Sequence, residues 1–318
     1  MKLVVLDGYT LNPGDNPWDT LAQLAELRVF DRTPAGQIID RARDADIVLT
    51  NKTPLTAETL AQLPRLQFIA VLATGFNIVD VAAARQRGIP VSNVPEYGSD
   101  SVAQHVFALL LELASRVGEH DAAVHASEWV RASDFCFWKA PPIELAGLTM
   151  GIVGFGRIGR RVGELAHAFG MSVIAAGGTR RDVPGFAPFA WRDVPELFAQ
   201  ADVVTLHCPL TAANTHFVNR ERLRRMKRSA FFINTARGGL VDEHALADTL
   251  RAGAIAGAAV DVVSVEPMRA DNPLLAAPRC LITPHIAWAS LAARRRLMET
   301  TVANVAAFLD GRPIHVVN

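Results

Sequence analysis

The sequence predicts an α/β fold with two domains, each built on a parallel sheet with helices on both faces. Three observations support this prediction. Apolar runs of about four residues alternate with helical segments along most of the chain, which is the pattern of βαβ units. The 318 residues are enough to form two hydrophobic cores. In the stretch 148–170 an apolar run leads into a glycine-rich turn and an amphipathic helix.

The first domain is expected to end near residue 99, after a regular alternation of strands and helices. Its last helix ends at Gly88, a residue suited to a helix stop. The predicted strands are 3–6, 29–30, 47–50, 68–73 and 90–94, and the predicted helices are 20–27, 37–43, 56–63 and 80–87. This order indicates a small parallel sheet.

A long helix over 101–118 introduces the second domain. It is apolar on nearly every side, and Ser101 stands where a helix cap is expected, so we predict that it is buried between two bodies. Five further strands then predict a Rossmann-type sheet, at 172–176, 203–207, 231–235, 256–261 and 281–283. The final helix is predicted over 291–309.

The glycine-rich turn contains three glycines with different physical uses. Gly154 permits a tight turn, Gly156 lets the backbone approach a pyrophosphate, and Gly159 lets the helix pack close to the strand. The phosphate would lie at the amino end of the helix. Because the turn follows a predicted strand and begins a helix, it predicts a dinucleotide-binding site.

The composition narrows the range of partners. The 32 basic and 32 acidic residues give no net charge, which argues against nucleic acid and anionic membranes and favours small molecules. The amino-terminal apolar run is too short for a signal peptide, and no apolar segment is long enough to cross a membrane. The three cysteines, at 136, 208 and 280, are scattered, which predicts neither disulfides nor a metal site and fits a cytoplasmic protein.

Three polar side chains follow predicted strands of the second domain: Arg237, Glu266 and His285. Ligands of open α/β sheets bind beyond the carboxyl ends of strands. An arginine there can bind a carboxylate with two hydrogen bonds, although a surface-loop arginine is the alternative. Glu266 could orient His285 and favour its protonated form, which would suit proton transfer near neutral pH.

Two strand ends of the first domain are also candidates. The turn Thr74-Gly75-Phe76-Asn77 could present backbone N–H groups to an anion, or be a simple turn. Lys52 follows another strand and could assist carboxylate binding, or be an exposed loop lysine. Structural roles are expected for six histidines on predicted helices or at the terminus, namely His105, His120, His125, His167, His244 and His315.

The strand 172–176 ends without the acidic residue that usually binds the adenosine ribose of NAD. It continues instead as Gly177-Gly178-Thr179-Arg180-Arg181. A hydroxyl and two guanidinium groups suit a 2′-phosphate, so we predict that NADP is preferred and that NAD remains possible. Asp182 follows both arginines and lies well past the strand, and is therefore discounted.

Five motifs resemble the D-2-hydroxyacid dehydrogenase family over essentially the whole chain. They are GFGRIG, HCPLT, NTARGGLVDEHAL, AAVDVVSVEP and TPHIAW. Within that family, the segments ATGFNIVDVAAARQRGIPVSNVP, DSVAQHVFALLLELA and DFCFWK resemble the glycerate dehydrogenase, or hydroxypyruvate-glyoxylate reductase, branch.

The resemblance implies two Rossmann-like domains. Residues 1–99 and 288–318 would form a smaller, flavodoxin-like substrate-binding domain, and residues 100–287 a doubly wound NAD(P)-binding domain that also supports a homodimer. The active site would lie in the cleft.

The resemblance also implies roles for individual residues. Arg237 would bind and polarise the 2-oxo acid, and His285, paired with Glu266, would protonate its carbonyl oxygen. Asp261 would hold the cofactor carboxamide. Further cofactor contacts are implied for Arg157, Ile158, His207, Cys208, Pro209, Thr215, Thr235, Ala236 and Ala287. The substrate would meet Thr74, Gly75 and Phe76, with Trp288 and, from a partner subunit, Trp138.

The activity implied is hydride transfer from NAD(P)H to hydroxypyruvate or glyoxylate. Another 2-hydroxy acid, of the D-lactate or phosphoglycerate type, stays open. A formate dehydrogenase is disfavoured because that group has an amide in place of Glu266. A cofactor-sensing binding protein of the corepressor type also stays open, because such proteins retain the catalytic residues.

Overall fold

The computed structural model describes residues 1–177 and 183–318. The chain divides into two compact units, Met1–Gly98 with Trp288–Asn318, and Ser99–Ala287. The family resemblance implied divisions after residues 99 and 287. No helix in the described ranges is both long and apolar enough to span a membrane.

Strands and helices alternate through most of both units. The strands are β1 Lys2–Val5, β2 Glu26–Val29, β3 Ile47–Thr50, β4 Phe68–Val71, β5 Val91–Ser92, β6 Thr149–Val153, β7 Ser172–Ala176, β8 Phe189–Trp191, β9 Val203–Leu206, β10 Phe231–Asn234, β11 Gly257–Val260 and β12 Cys280–Ile282. The α-helices are α1 Asp19–Ala22, α2 Ile38–Ala42, α3 Ala57–Ala61, α4 Val81–Gln86, α5 Ser99–Ser115, α6 Val117–His125, α7 Arg157–Ala168, α8 Val194–Gln200, α9 Arg220–Arg225, α10 Glu243–Arg251 and α11 Leu291–Leu309.

The first unit contains a five-stranded parallel sheet in the order β2-β1-β3-β4-β5. This is the flavodoxin-like strand order. Successive residues of β1, and Leu6 directly after it, enter opposite cores. Leu3 and Val5 belong to the core that contains Leu297 of α11, whereas Val4 and Leu6 belong to the core that contains Ile38 of α2. Burial on both faces explains why these strands read as continuous apolar runs.

The second unit contains a seven-stranded parallel sheet in the order β12-β11-β10-β9-β6-β7-β8. Read from the other edge, this is the Rossmann order 3-2-1-4-5-6 with one strand added. The strand order reverses between β6 and β9, and ligands of such sheets bind at that reversal. The predicted α/β class with two Rossmann-like sheets is confirmed.

One local prediction is wrong, and one strand was not predicted. The helix expected over 20–27 covers only Asp19–Ala22, because Glu26 and Leu27 pair with Lys2 and Leu3 in the sheet. Strand β8 was not expected, since its three residues give too short a pattern. It pairs with β7 and adds Phe189 to an aromatic cluster, so tertiary contacts rather than local pattern define it.

Helix α5 also differs from its prediction. It begins at Ser99, so Ser101 lies in its first turn, where its hydroxyl donates a hydrogen bond to the Ala287 carbonyl rather than capping the helix. Its buried residues pack with β6, β10, β11 and α7 of the same unit. Gln104 and Ala108 are exposed, and the burial of this helix between two bodies stays a prediction.

Candidate active site

The glycine turn after β6 is built against the end of β9. Gly154 has a positive φ of 93°, and a Cβ there would lie 2.6 Å from the Cys208 nitrogen. A Cβ on Gly159 would lie 2.3 Å from the Gly154 carbonyl oxygen. In contrast, no described atom lies within 4 Å of a Cβ built on Gly156. The two outer glycines therefore allow close packing, and the middle one leaves open space beside the amino end of α7.

His207 follows β9 at the same edge. Its Nε2 lies 3.0 Å from the Thr205 hydroxyl, and burial lowers the pKa of its imidazole to about 3. Burial likewise raises the pKa of the neighbouring Cys208 thiol. Both side chains are thus neutral near pH 7 and form an uncharged wall beside the glycine turn.

The other residues expected at the cofactor occupy several segments of this edge. Arg157 and Ile158 begin α7, Pro209 and Thr215 lie in the loop after β9, Thr235 and Ala236 follow β10, and Ala287 follows β12. The predicted 2′-phosphate contacts at Gly178, Thr179, Arg180 and Arg181 lie outside the described residues.

Two observations fit a bound dinucleotide. The first is the open space at Gly156 and the amino end of α7, which suit a pyrophosphate. The second is the Thr235 hydroxyl, which is buried and has no hydrogen-bond partner among the described residues. Buried polar atoms are normally paired, so a ligand group would complete this site.

The loop that carries Arg237 is held by Asn234, the last residue of β10. The buried Asn234 side chain accepts a hydrogen bond from the Ala236 N–H (3.0 Å) and donates one to the Arg237 carbonyl (3.0 Å). The Arg237 side chain is exposed and donates to the Ala236 carbonyl. We did not expect this role of Asn234. Its only sequence signal is a polar residue that ends an apolar run.

The loops after β10 and β11 touch at Gly238. A Cβ on Gly238 would lie 1.9 Å from the carbonyl carbon of Val263, so no other residue fits there without moving the backbone. Glu243 of α10 adds a second connection, because its carboxylate accepts hydrogen bonds from the N–H (2.6 Å) and hydroxyl (2.8 Å) of Ser264 and from the Asn272 amide. These contacts fix the loop that carries Glu266.

Glu266 and His285 lie in direct contact. Glu266 Oε2 is 2.6 Å from His285 Nδ1, and Oε1 accepts a hydrogen bond from the Val263 N–H. The two side chains are 35% and 29% exposed, respectively. His285 Nε2 has no hydrogen-bond partner within the part of the chain that the structure describes. The arrangement orients the imidazole and leaves Nε2 available for proton transfer.

Asp261 is fully buried beneath the His285 loop. Its carboxylate accepts hydrogen bonds from the Thr283 hydroxyl (2.6 Å) and from the N–H groups of Ile286 (2.9 Å) and Ala287 (2.9 Å). Burial opposes ionisation, but the hydrogen bonds from His105, Thr283 and the backbone outweigh it and lower the pKa of this carboxyl group. Asp261 therefore holds the loop that carries His285, and its contact with a carboxamide stays a prediction.

In the first unit, Asp7 holds the loop that contains Lys52. Its carboxylate accepts hydrogen bonds from the N–H groups of Asn51 (2.8 Å), Lys52 (2.5 Å) and Thr53 (2.7 Å). The Lys52 side chain is exposed. Three donors on one carboxylate define the shape of this loop, which follows β3 where the strand order of the sheet reverses.

The turn after β4 has a different support. Thr74 donates its hydroxyl to the Val94 carbonyl, and its own carbonyl accepts from the side chain of Asn93 (2.7 Å). Within the described ranges, the N–H groups of Gly75, Phe76 and Asn77 have no hydrogen-bond partner. Such donors suit an anion.

The two tryptophans expected near the substrate lie in different units. Trp138 is 60% exposed and lines a cavity of about 430 Å³ with Val117, Val124 and Phe137. Trp288 is partly buried in the first unit, where it packs edge to face with Tyr97 at 6.3 Å. Their roles in binding substrate stay predictions.

One edge of the second sheet carries three features: a histidine paired with a carboxylate, an exposed arginine and a dinucleotide turn. This combination is typical of nicotinamide-dependent oxidoreductases. Similarity to known proteins narrows this class to one family. Residues 107–287 match the family model of the D-isomer specific 2-hydroxyacid dehydrogenase NAD-binding domain. The chain belongs to the D-2-hydroxyacid dehydrogenase family, and its cofactor is a nicotinamide dinucleotide.

Individual relatives match along most of the chain. A hydroxypyruvate reductase from Blautia hydrogenotrophica is 47% identical over the whole of both chains. A glycerate dehydrogenase from Methylorubrum extorquens is 42% identical over 88% of each. The crystal structure of the TT0316 protein from Thermus thermophilus covers both chains completely with 36% identity and a TM-score of 0.87.

Proposed function

We propose that the protein reduces hydroxypyruvate or glyoxylate to the corresponding 2-hydroxy acid with NAD(P)H. The observation that carries this proposal is the 2.6 Å contact between Glu266 and His285, which leaves Nε2 available beside the sheet edge that also carries Arg237. The names of the similar proteins, a hydroxypyruvate reductase and a glycerate dehydrogenase, support the substrate class.

Each of the three residues has a distinct part in the reaction. Arg237 binds the anionic 2-oxo acid and polarises it, since a planar guanidinium suits a carboxylate. His285 donates the Nε2 proton to the carbonyl oxygen, while Glu266 keeps the Nδ1 proton hydrogen-bonded and stabilises the imidazolium before transfer. The nicotinamide, when bound, supplies the hydride that reaches the carbonyl carbon.

We further propose a preference for NADPH. Strand β7 ends at Ala176 and is followed by glycine rather than an acid, which removes repulsion against a 2′-phosphate. The arginines at 180 and 181 supply the complementary charge. Replacing both by alanine should raise the Michaelis constant for NADPH but not for NADH. Equal constants before and after replacement would contradict this preference.

We also propose a role for each unit and a homodimeric assembly. The first unit would bind substrate through Lys52 and the turn at Thr74, and the second would bind cofactor. Exposed apolar residues between 117 and 138 support a homodimer, because Val130 and Phe135 are at least 85% exposed. Light scattering after size-exclusion chromatography would test whether the protein is a dimer.

The three unpaired cysteines support a location in a reducing compartment, the cytoplasm.

The test of the activity is the initial rate of NADPH and NADH oxidation with hydroxypyruvate and with glyoxylate. His285→Ala should abolish turnover and leave cofactor binding nearly unchanged. His244→Ala is the control, because this histidine is exposed on α10 and is assigned no part in the reaction. Turnover only with pyruvate or phosphohydroxypyruvate would indicate another branch of the family. No turnover with any acid, despite cofactor binding, would favour the sensing protein.

A further inference from the structure

His105 lies beneath the loop that carries His285. It projects from α5, its side chain is 18% exposed, and its Nε2 is 3.0 Å from the Thr283 hydroxyl and 3.5 Å from Asp261 Oδ1. Thr283 and Asp261 belong to the hydrogen bonds that hold the loop 285–287. His105 is therefore connected to the segment that carries His285 by a hydrogen bond with Thr283 and by a longer contact with Asp261.

The directions of these hydrogen bonds follow from the chemistry of the groups. Asp261 is ionised and can only accept, so the Thr283 hydroxyl donates its single proton to Oδ1 at 2.6 Å. The Thr283 oxygen then accepts from His105, which places a proton on His105 Nε2. The chain of donors runs from His105 to Thr283 to Asp261, and Asp261 binds the N–H groups of Ile286 and Ala287.

The position of His285 depends on this chain. Its backbone has a positive φ of 55°, a conformation that is uncommon for residues other than glycine. The N–H groups of the next two residues are held by Asp261, and its own N–H donates to the Asp261 carbonyl (2.8 Å). If the carboxylate of Asp261 turns, the loop loses the contacts that maintain this conformation.

We propose that His105 is a positioning residue for His285 and acts through Thr283 and Asp261. It fixes the Thr283 hydroxyl, which fixes the Asp261 carboxylate and through it the loop 285–287. This inference deepens the proposed function and rests on it, since it assigns His285 as the proton donor. His105 itself does not touch the reacting atoms in this scheme.

A set of matched variants tests the proposal. His105→Leu removes the donor, Thr283→Val removes the hydroxyl at nearly constant shape, and Thr283→Ser retains it. We expect kcat to fall about 10- to 100-fold in the first two, because small displacements of a catalytic group have effects of this size, and to stay near wild type in Thr283→Ser. The double variant His105→Leu/Thr283→Val should be no worse than either single variant, as for residues in one network.

A second measurement does not require turnover. In protein labelled with ¹⁵N-histidine, the Nδ1 proton of His285 that faces Glu266 should give a far-downfield NMR signal, assigned by its loss in His285→Ala. We expect His105→Leu and Thr283→Val to shift or broaden this signal and Thr283→Ser to retain it. A lack of turnover in the wild type together with these NMR changes would contradict the proposed function but support the positioning role.

Two results would overturn the positioning role. One is an unchanged signal and an unchanged kcat in His105→Leu. The other is an additive loss in the double variant, which would show that the two residues act separately. If His105→Leu does not fold, two other tests decide the question. One is the comparison of Thr283→Val with Thr283→Ser. The other is His105→Gln, because glutamine keeps an N–H donor on the side chain.

Discussion

The carboxyl edges of the two sheets are supported in different ways. In the second unit the supporting side chains, Asn234 and Asp261, are themselves buried at the ends of strands. In the first unit the loop after β3 is held by Asp7 from a neighbouring loop, and the N–H groups of the turn at Gly75 have no partner among the described residues. The difference fits the proposed roles of the two edges, in which the second positions a proton donor and the first binds an anion.

The most severe way to disturb the second edge is to remove the charge of Glu266. Glu266→Gln should lower kcat about 100- to 1,000-fold with little effect on cofactor binding, because a neutral amide no longer stabilises the imidazolium of His285. Steady-state kinetics at saturating cofactor would measure this. Glu221→Gln is the control, since Glu221 is an exposed helical residue paired with Arg225. A kcat within twofold of wild type would refute the pairing as a catalytic feature.

A smaller loss is expected when the two loops of the second edge are forced apart. Gly238→Ala introduces a Cβ where the Val263 backbone lies, so Arg237 must move, and kcat/KM should fall about 100-fold. Gly36→Ala is the matched control, because no described atom lies within 4 Å of its Cβ. If Gly238→Ala had normal kinetics, the close approach of the loops would be unimportant for Arg237.

The first edge should tolerate change better. Asp7→Asn leaves one fewer acceptor for the three N–H groups of the loop at Lys52, so this loop should loosen. We expect KM for the 2-oxo acid to rise about tenfold while kcat stays close to wild type, since binding is affected but proton transfer is not. Asp40→Asn, at an exposed site on α2, is the control. A fall in kcat equal to that of Glu266→Gln would contradict the division between the edges.

His207→Gln should have the smallest effect of these substitutions at pH 7, and its effect should appear in the pH dependence of the free energy of unfolding. Since burial lowers the pKa of His207 from 6.5 to about 3, the unfolded chain binds a proton between these values that the folded chain does not. The neutral His207 therefore has no effect on the pH dependence of stability above pH 6.5. Between pH 6.5 and pH 3 it lowers the free energy of unfolding by up to about 1.4 kcal/mol for each unit of acidification.

Chemical unfolding followed between pH 7 and pH 4 would measure this dependence. The variant should lose stability less steeply than the wild type, because glutamine does not titrate. Parallel slopes for the two proteins would mean that His207 is not buried as a neutral group.

The sequence predicts the sheets, and it selects Arg237, Glu266 and His285 as candidates, because both inferences depend on local patterns at strand ends. Helix α11 begins at Leu291 and ends at Leu309, as predicted, since Ser290 caps it and Gly311 follows it. Strand β8 and the short α1 depend on pairing with distant strands, which a local pattern does not contain. The division into two units is implied by the family resemblance as well as by the alternation of strands and helices.

The supporting residues of the site were harder to foresee. His105 reads as one polar residue in an apolar helix, and its partners are 156 or more positions away in the chain. Asp7 and the loop at Lys52 are separated by 44 to 46 residues. Contacts of this kind are set by the three-dimensional arrangement of strand ends, so they become visible only in the folded chain.

The contrast among the three thiols has a practical use. Burial raises the pKa of Cys208 and brings that of Cys280 to about 12, whereas Cys136 is exposed. Because the thiolate is the reactive form, a maleimide dye near pH 7 should attach mainly at Cys136. This residue lies beside Phe135 in the exposed apolar segment, so the dye would sit where a second subunit is proposed to bind. A native cysteine thus offers a built-in attachment point for observing assembly by fluorescence.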